Sequence, residues 1–155
     1  ATIAQQIMQS QKVRLFHEHV LVQEAHTSEE TPWHHDQPYY CVDGNQLVST
    51  WVPLDPITKE SAMKFIAGSH LGPMYAPKRF HDNESYDYEG FAELPQISET
   101  LTKDKIRSWE MQPGDVLIFH MRTLHAAGGT ATRRRAFAAR WLGDDATYAT
   151  RPGPT

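Results

Sequence analysis

The chain has 155 residues, with 15 Lys and Arg against 19 Asp and Glu and a formal net charge of -4. This fits one domain with a real core and argues against a nucleic-acid surface, which is normally basic. No apolar run approaches the roughly 20 residues of a membrane span, no signal pattern opens the chain, and the single Cys41 allows no internal disulfide, so a cytoplasmic compartment is expected.

In chain order, residues 1–12 are helix-compatible. Residues 13–24 alternate as a strand does, with Val13, Leu15, Val20 and Val22 apolar and polar residues between them. The segment TPWHHD at 31–36 also reads as a strand. Residues 42–45 (VDGN) form a turn signal, and 46–54 (QLVSTWVPL), β-branched and aromatic, are predicted as a strand. A polar loop at 55–61 precedes a short strand at 62–67. Residues 71–105 are rich in Pro, Tyr, Asp and Glu without a sustained period. Long irregular stretches of this kind are usually functional or disordered, so a lid-like, substrate-facing insertion is expected there. Strands are predicted again at 106–111 and 116–120, a tight turn at 126–129 and a last strand at 134–142, followed by a loop-like tail. Seven or eight short strands with few helices indicate a mainly β protein, a sandwich or jelly roll.

Nine histidines hint at metal chemistry. In a strand, residues i and i+2 share a face, so His34 and Asp36 can grip one metal ion while His35 points away. His125 follows 89 residues after Asp36, just beyond an apolar run. Two His and one carboxylate with open positions suit a non-haem Fe(II) oxygenase; a hydrolytic zinc site is the alternative. The open positions of octahedral iron accept a bidentate 2-oxo acid and dioxygen. The second carboxylate of 2-oxoglutarate needs a partner, and a guanidinium fork fits it. Arg133, Arg134 and Arg135 open the last strand. Alternation puts Arg134, Ala136, Ala138 and Arg140 on one face, with Arg135, Phe137, Ala139 and Trp141 on the other. Bland readings exist for each: His35 and His120 as decoy ligands, the arginines as a solvated charge run, Tyr39 and Tyr40 as packing aromatics, Cys41 as a small buried residue.

The order of these motifs resembles the phytanoyl-CoA dioxygenase family of Fe(II)/2-oxoglutarate oxygenases, from about Val13 onward. TPWHHDQPYY looks like its metal-binding strand, LVSTWVPLDPITKESAMKFIAGSH like its next block, and QPGDVLIFHMRTLHAAGGTATRRRAFAARW like its distal-histidine and arginine block. The resemblance implies a double-stranded β-helix (jelly roll, cupin-like), with His34, Asp36 and His125 as iron ligands. It implies Arg134 as partner of the distal co-substrate carboxylate, two residues before the small Ala136, and assigns Gln23, Thr50 and Trp51 to the co-substrate site. Gln23 stands where many members carry a basic residue. Ala127 and Thr130 stand where the family often has Ser and Asn, which removes one hydroxyl partner. The block is slightly shorter than usual, so Arg135 rivals Arg134.

The implied activity is hydroxylation of a small or medium-sized organic substrate with dioxygen, with ascorbate as reductant. Asp36 argues against the related halogenases, which need a halide at that position. A cupin-like metal-binding protein without oxygenase activity is the alternative. Members usually carry a substantial N-terminal region, so residues 1–155 are expected to be a single oxygenase domain that lacks that region and the C-terminal end. Such a core would expose apolar surface or a sheet edge, from which a homodimer is expected.

Overall fold

The two longest strands are β1 (Arg14–Gln23) and β9 (Arg134–Leu142). In a computed structural model of the chain, which describes residues 1–28, 30–79, 86, 89–98 and 103–151, they pair antiparallel and set Gln23 opposite Arg134. On its other side β9 pairs with β4 (Leu47–Pro53), placing Ser49 opposite Arg140 and Trp51 opposite Ala138. Strand β7 (Leu117–His120) completes a four-stranded sheet in the order β1-β9-β4-β7. A second sheet has the order β2-β8-β5-β6, built from β2 (Thr31–His34), β8 (His125–Ala127), β5 (Lys64–Ile66) and β6 (Ile106–Arg107). The chain passes back and forth between the two sheets, which is the double-stranded β-helix expected from the sequence.

The alternation in β9 explains how the sheets close. Ala136 and Ala138 are almost fully buried and small, so Trp51 and Phe65 can fill the space between the sheets together with Met63, Met111 and Ile57. A buried aromatic of this kind contributes several kcal/mol, and Trp51→Ala would cost about 3–5 kcal/mol. On the outer face, helix α1 (Thr2–Met8) buries Ala4 and Met8 against Val48, with Ile118 and Trp141 beside them. Strand β1 is a sheet edge, and Leu15, Val20, Leu21 and Val22 on it are exposed. No helix among the described residues is long and apolar enough to cross a membrane.

Several expectations are corrected. The strand expected through Asp36 ends at His34. Asp36 is helical in backbone angle and heads a single 3-10 turn, Gln37–Tyr39, with Pro38 inside it. Ala126 and Ala127 belong to β8, so the turn starts only at Gly128. At Gly129 the chain runs so close to the Thr27 carbonyl that a Cβ would collide with it. The signal at 42–45 contains a short strand, β3 (Val42–Asp43), which pairs with β10 (Thr147–Tyr148) in the tail read as loop. Arg151 ties this pair down through Asp43 and the carbonyls of Tyr40 and Val42. Strand β6 stops at Arg107, and Met111 instead bridges Ile57. Cys41 is exposed. Of the insertion expected at 71–105, residues 80–85, 87–88 and 99–102 lie outside those described; within the rest, Tyr75 bridges Ala92 and Leu94 packs against Ile66 and Leu124.

Candidate metal centre

Strands β2 and β8 are neighbours in the second sheet, and their register sets His34 opposite His125. The two imidazole centroids are 4.2 Å apart. Asp36 reaches the same place from the 3-10 turn that follows β2. His34, Asp36 and His125 each offer a ligand atom within 4.8 Å of the others, and all three are buried. Each imidazole is oriented by a carbonyl two residues earlier: His34 Nδ1 lies 2.8 Å from Pro32 O, and His125 Nδ1 lies 2.9 Å from Thr123 O. A carbonyl oxygen only accepts, so each Nδ1 carries the hydrogen and each Nε2 keeps its lone pair as a metal donor.

The electrostatics favour the same state. Burial, reinforced by the proximity of His125, pushes His34 down to about 3. Burial also lowers His125. Both are therefore neutral at pH 7, as metal ligands must be. Burial alone would raise the Asp36 carboxyl, but the basic groups around it, His125, Arg140 and His34, and the hydrogen bond from Arg140 hold it well below the usual carboxylate range. Of these, Arg140 is the one charged at neutral pH. Arg140 Nη2 donates to Asp36 Oδ1 at 2.7 Å, and Ser49 Oγ donates to Asp36 Oδ2 at 2.5 Å. The carboxylate is thus gripped at both oxygens before any metal arrives.

His35 faces elsewhere. Its Nε2 accepts from Tyr75 N at 2.9 Å, so its Nδ1 donates toward Arg122 O at 3.3 Å. It pins the start of the 71–105 stretch. His120 is also engaged at both nitrogens, donating to Asn45 O and accepting from Arg122 N. Neither decoy joins the cluster.

The three ligands line a cavity of about 870 Å³ between the sheets. The inner face of β9 runs along it, carrying Arg134, Ala136, Ala138 and Arg140. Arg134 donates to Ser61 O and to Gln23 Oε1, and no carboxylate among the described residues pairs with it. Burial lowers its pKa. Arg135 lies on the opposite face, where Nη2 and Nε donate to Asp55 at 2.7 and 3.0 Å. Gln23 and Trp51 line the cavity as well. Thr50 borders it, but its hydroxyl accepts from Trp141 Nε1 at 3.0 Å. Trp141 packs with α1 on the outer face, so the Thr50 hydroxyl is engaged on that side of the sheet. The residue on this strand that does reach the centre is its inward neighbour Ser49.

Ser49, Arg140, His19 and Tyr39 were not singled out as site residues. The signal for Arg140 was present, since alternation puts it on the face of Arg134. For Ser49 the signal was a hydroxyl two residues before Trp51 on the same face. The donor set itself fits an octahedral divalent ion: two neutral nitrogens and one carboxylate converge, and the cavity gives access to the remaining positions.

Solved structures of similar fold include EvdO2 from Micromonospora carbonacea var. aurantiaca, with a TM-score of 0.74 and 22% identity over 99% of this chain and 61% of that one. The epimerase SnoN, in complex with Fe3+, alpha ketoglutarate and nogalamycin RO, gives a TM-score of 0.72 and 25% identity over 96% of this chain and 57% of that one. The alpha ketoglutarate dependent carbocyclase SnoK from nogalamycin biosynthesis gives 0.68 and 22%, over 95% and 56%. The chain therefore spans less than two thirds of the length of these structures. No curated protein matches it. The family model described as phytanoyl-CoA dioxygenase (PhyH) matches residues 1–136, most of the sequence, with His34, Asp36 and His125 all inside the match, and the chain belongs to the phytanoyl-CoA dioxygenase family.

Proposed function

We propose that the protein is an Fe(II)- and 2-oxoglutarate-dependent oxygenase that hydroxylates a small or medium-sized organic molecule. The observation that carries this reading is the sharing of one cavity by the His34, Asp36 and His125 cluster and by Arg134, a guanidinium without a carboxylate among the described residues. A hydrolytic zinc site needs no such cation beside it. SnoN, similar in fold, was solved with Fe3+ and alpha ketoglutarate, which supports the same pairing here.

Bound Fe(II) would supply dioxygen activation coupled to decarboxylation of 2-oxoglutarate to succinate. The chain's own residues do the rest. His34 and His125 give neutral donors, and Asp36 gives the one anionic donor. Ser49 and Arg140 hold Asp36 in place. Arg134, steadied by Gln23 and the Ser61 carbonyl, receives the distal carboxylate of 2-oxoglutarate through its planar fork. Trp51, Met63 and Phe119 line the cavity with apolar surface and keep bulk water from the reacting atoms.

The test is succinate formation from 2-oxoglutarate with Fe(II), ascorbate and air. Turnover in the parent protein and its loss in Asp36→Ala support the oxygenase; metal binding with no succinate from any substrate mixture favours the cupin-like alternative. Hydroxylation predicts a product 16 mass units heavier than substrate, roughly one oxygen atom; an unchanged mass would favour epimerisation, and a loss of about two mass units, two hydrogens, would favour oxidative ring closure. Two extensions rest on the same reading. The stretch 71–105 is a substrate-facing lid on this reading: at its described residue Lys78, the cavity residue Tyr39 donates to Lys78 O at 2.7 Å and accepts from Lys78 N at 2.8 Å, and substrate should protect the stretch from limited proteolysis. Exposed β1 favours a homodimer, and light scattering that gives 17.7 kDa at high concentration would rule it out.

A further inference from the structure

Arg140 is 7% exposed and lines the cavity. Its partners are few for so buried a cation. Nη2 donates to Asp36 Oδ1, Nη1 lies 3.5 Å from His19 Nε2, and the guanidinium carbon sits 5.6 Å from the centre of the Tyr40 ring. Its Nε is buried and has no hydrogen-bond partner among the described residues. Arg134 and Arg140 stand six residues apart on one strand face, about 20 Å along the strand at the usual rise. One cavity is therefore lined by two guanidiniums well separated along β9, and Arg140 is the one in contact with the ligand cluster.

The charges do not balance with the co-substrate alone. Asp36 would be shared between Arg140 and the metal. Once a divalent ion and the doubly charged 2-oxoglutarate are in place, two guanidiniums face a single protein carboxylate, and one positive charge is left over. Among the described residues lining the cavity, the only other acid is Glu30, which is exposed and screened by water. An uncompensated charge in a buried site is costly. The Tyr40 ring lies against that charge and offers a flat aromatic face, while His19 meets it through Nε2 at 3.5 Å, and both residues line the cavity.

We infer that the Arg140 end of the cavity is an anion subsite for the substrate, which carries a carboxylate on an aromatic or aliphatic body. This rests on the oxygenase reading above and adds the substrate class to it. Arg140 receives the carboxylate, Tyr40 and His19 flank the body, and the group to be oxidised is held near the ligand cluster. Because Arg140 also holds Asp36, arrival of the correct substrate changes the environment of a metal ligand directly.

The test is isothermal titration without dioxygen, on protein loaded with Fe(II) and saturated with 2-oxoglutarate. The probes are 3-phenylpropionate, its neutral amide 3-phenylpropanamide, and the cation 3-phenylpropylamine. Co-substrate binding is measured first, so that its absence, which sinks the oxygenase reading, is told apart from failure of the anion subsite. The inference predicts that the carboxylate binds roughly tenfold or more tightly than the amide, that the amine binds weakest, and that 2-oxoglutarate stays bound throughout. Arg140→Gln should bring acid and amide to within about twofold, and Arg140→Lys should keep part of the preference. Equal binding of acid and amide by the parent ternary complex would overturn the inference whatever the variants do. So would displacement of 2-oxoglutarate by the acid, or an Arg140→Gln variant that loses co-substrate affinity while keeping the acid preference, because Arg140 would then belong to the co-substrate.

Discussion

Arg140 donates to Asp36 at 2.7 Å from a strand that reaches the metal site from the opposite sheet. Asp36 lies just past β2, and Arg140 sits near the end of β9, so this single ion pair joins the two layers at the ligand cluster. Both side chains are almost fully buried. Breaking a buried pair by removing one partner typically costs about 3–5 kcal/mol. The ligand carboxylate is therefore also a structural tie between the sheets.

Asp36→Ala should abolish stoichiometric metal binding, since it removes the one anionic donor. His35→Ala should leave metal stoichiometry intact, because the His35 ring is spent on Tyr75 and Arg122 backbone atoms. It should instead cost about 2–4 kcal/mol of stability through a cavity and lost hydrogen bonds. Metal analysis beside thermal unfolding separates the two. Metal loss in His35→Ala at unchanged stability would show that the ligand set is misread.

Arg134→Ala should raise the apparent KM for 2-oxoglutarate by roughly a hundredfold, the equivalent of about 3 kcal/mol. Arg134→Lys should recover part of this, since an ammonium lacks the fork. Arg135→Ala should change KM little, because Arg135 is turned to the other face and paired with Asp55. Steady-state titration of the co-substrate decides; a larger effect at Arg135 would contradict the placement.

Much of this was legible because strands carry a period of two. The alternation of residues 134–142 puts Arg134 and Arg140 on one face, and the spacing of His34, Asp36 and His125 singles out the three residues that cluster. The strand argument placed His34 and Asp36 together, but the turn after β2, not a continuing strand, brings Asp36 round to His34. Turn geometry of that kind depends on packing that sequence period does not encode. Ser49 and the β3–β10 pair were hidden for a similar reason: a lone serine and two-residue strands carry no periodic signal. Ser49 and Thr50 are adjacent hydroxyl residues on opposite faces of β4, and Ser49 is the one bonded to Asp36.

Ser49→Ala removes the donor to Asp36 Oδ2 and leaves the Arg140 guanidinium on Asp36 Oδ1 as the anchor of that carboxylate. Removing such an outer partner typically weakens metal affinity roughly 10–100-fold. Competition with a metal chelator should show this at nearly unchanged fold, and Ser49→Thr should restore part of it. Unchanged affinity in Ser49→Ala would mean that Arg140 alone orients Asp36.

The metal-free protein should lose stability as pH falls from neutrality. Folded His34 stays neutral down to about 3, whereas an unfolded histidine takes up a proton near 6.5. Between these values the unfolded chain binds more protons than the folded one, so stability rises with pH across that window and falls on acidification. Burial shifts His125 and His35 in the same direction. Thermal unfolding at pH 7 and pH 5 should show a lower Tm at about pH 5, and His34→Asn should flatten the slope. A Tm that holds or rises on acidification would contradict the buried neutral imidazoles.

The most direct measurement is titration of 2-oxoglutarate into the protein without dioxygen, with and without Fe(II). The account predicts one 2-oxoglutarate bound per chain when one Fe(II) is bound, little binding in its absence, and loss of both in Asp36→Ala. Tight 2-oxoglutarate binding without metal, or Fe(II) retained when His34 and Asp36 are both replaced, would contradict it.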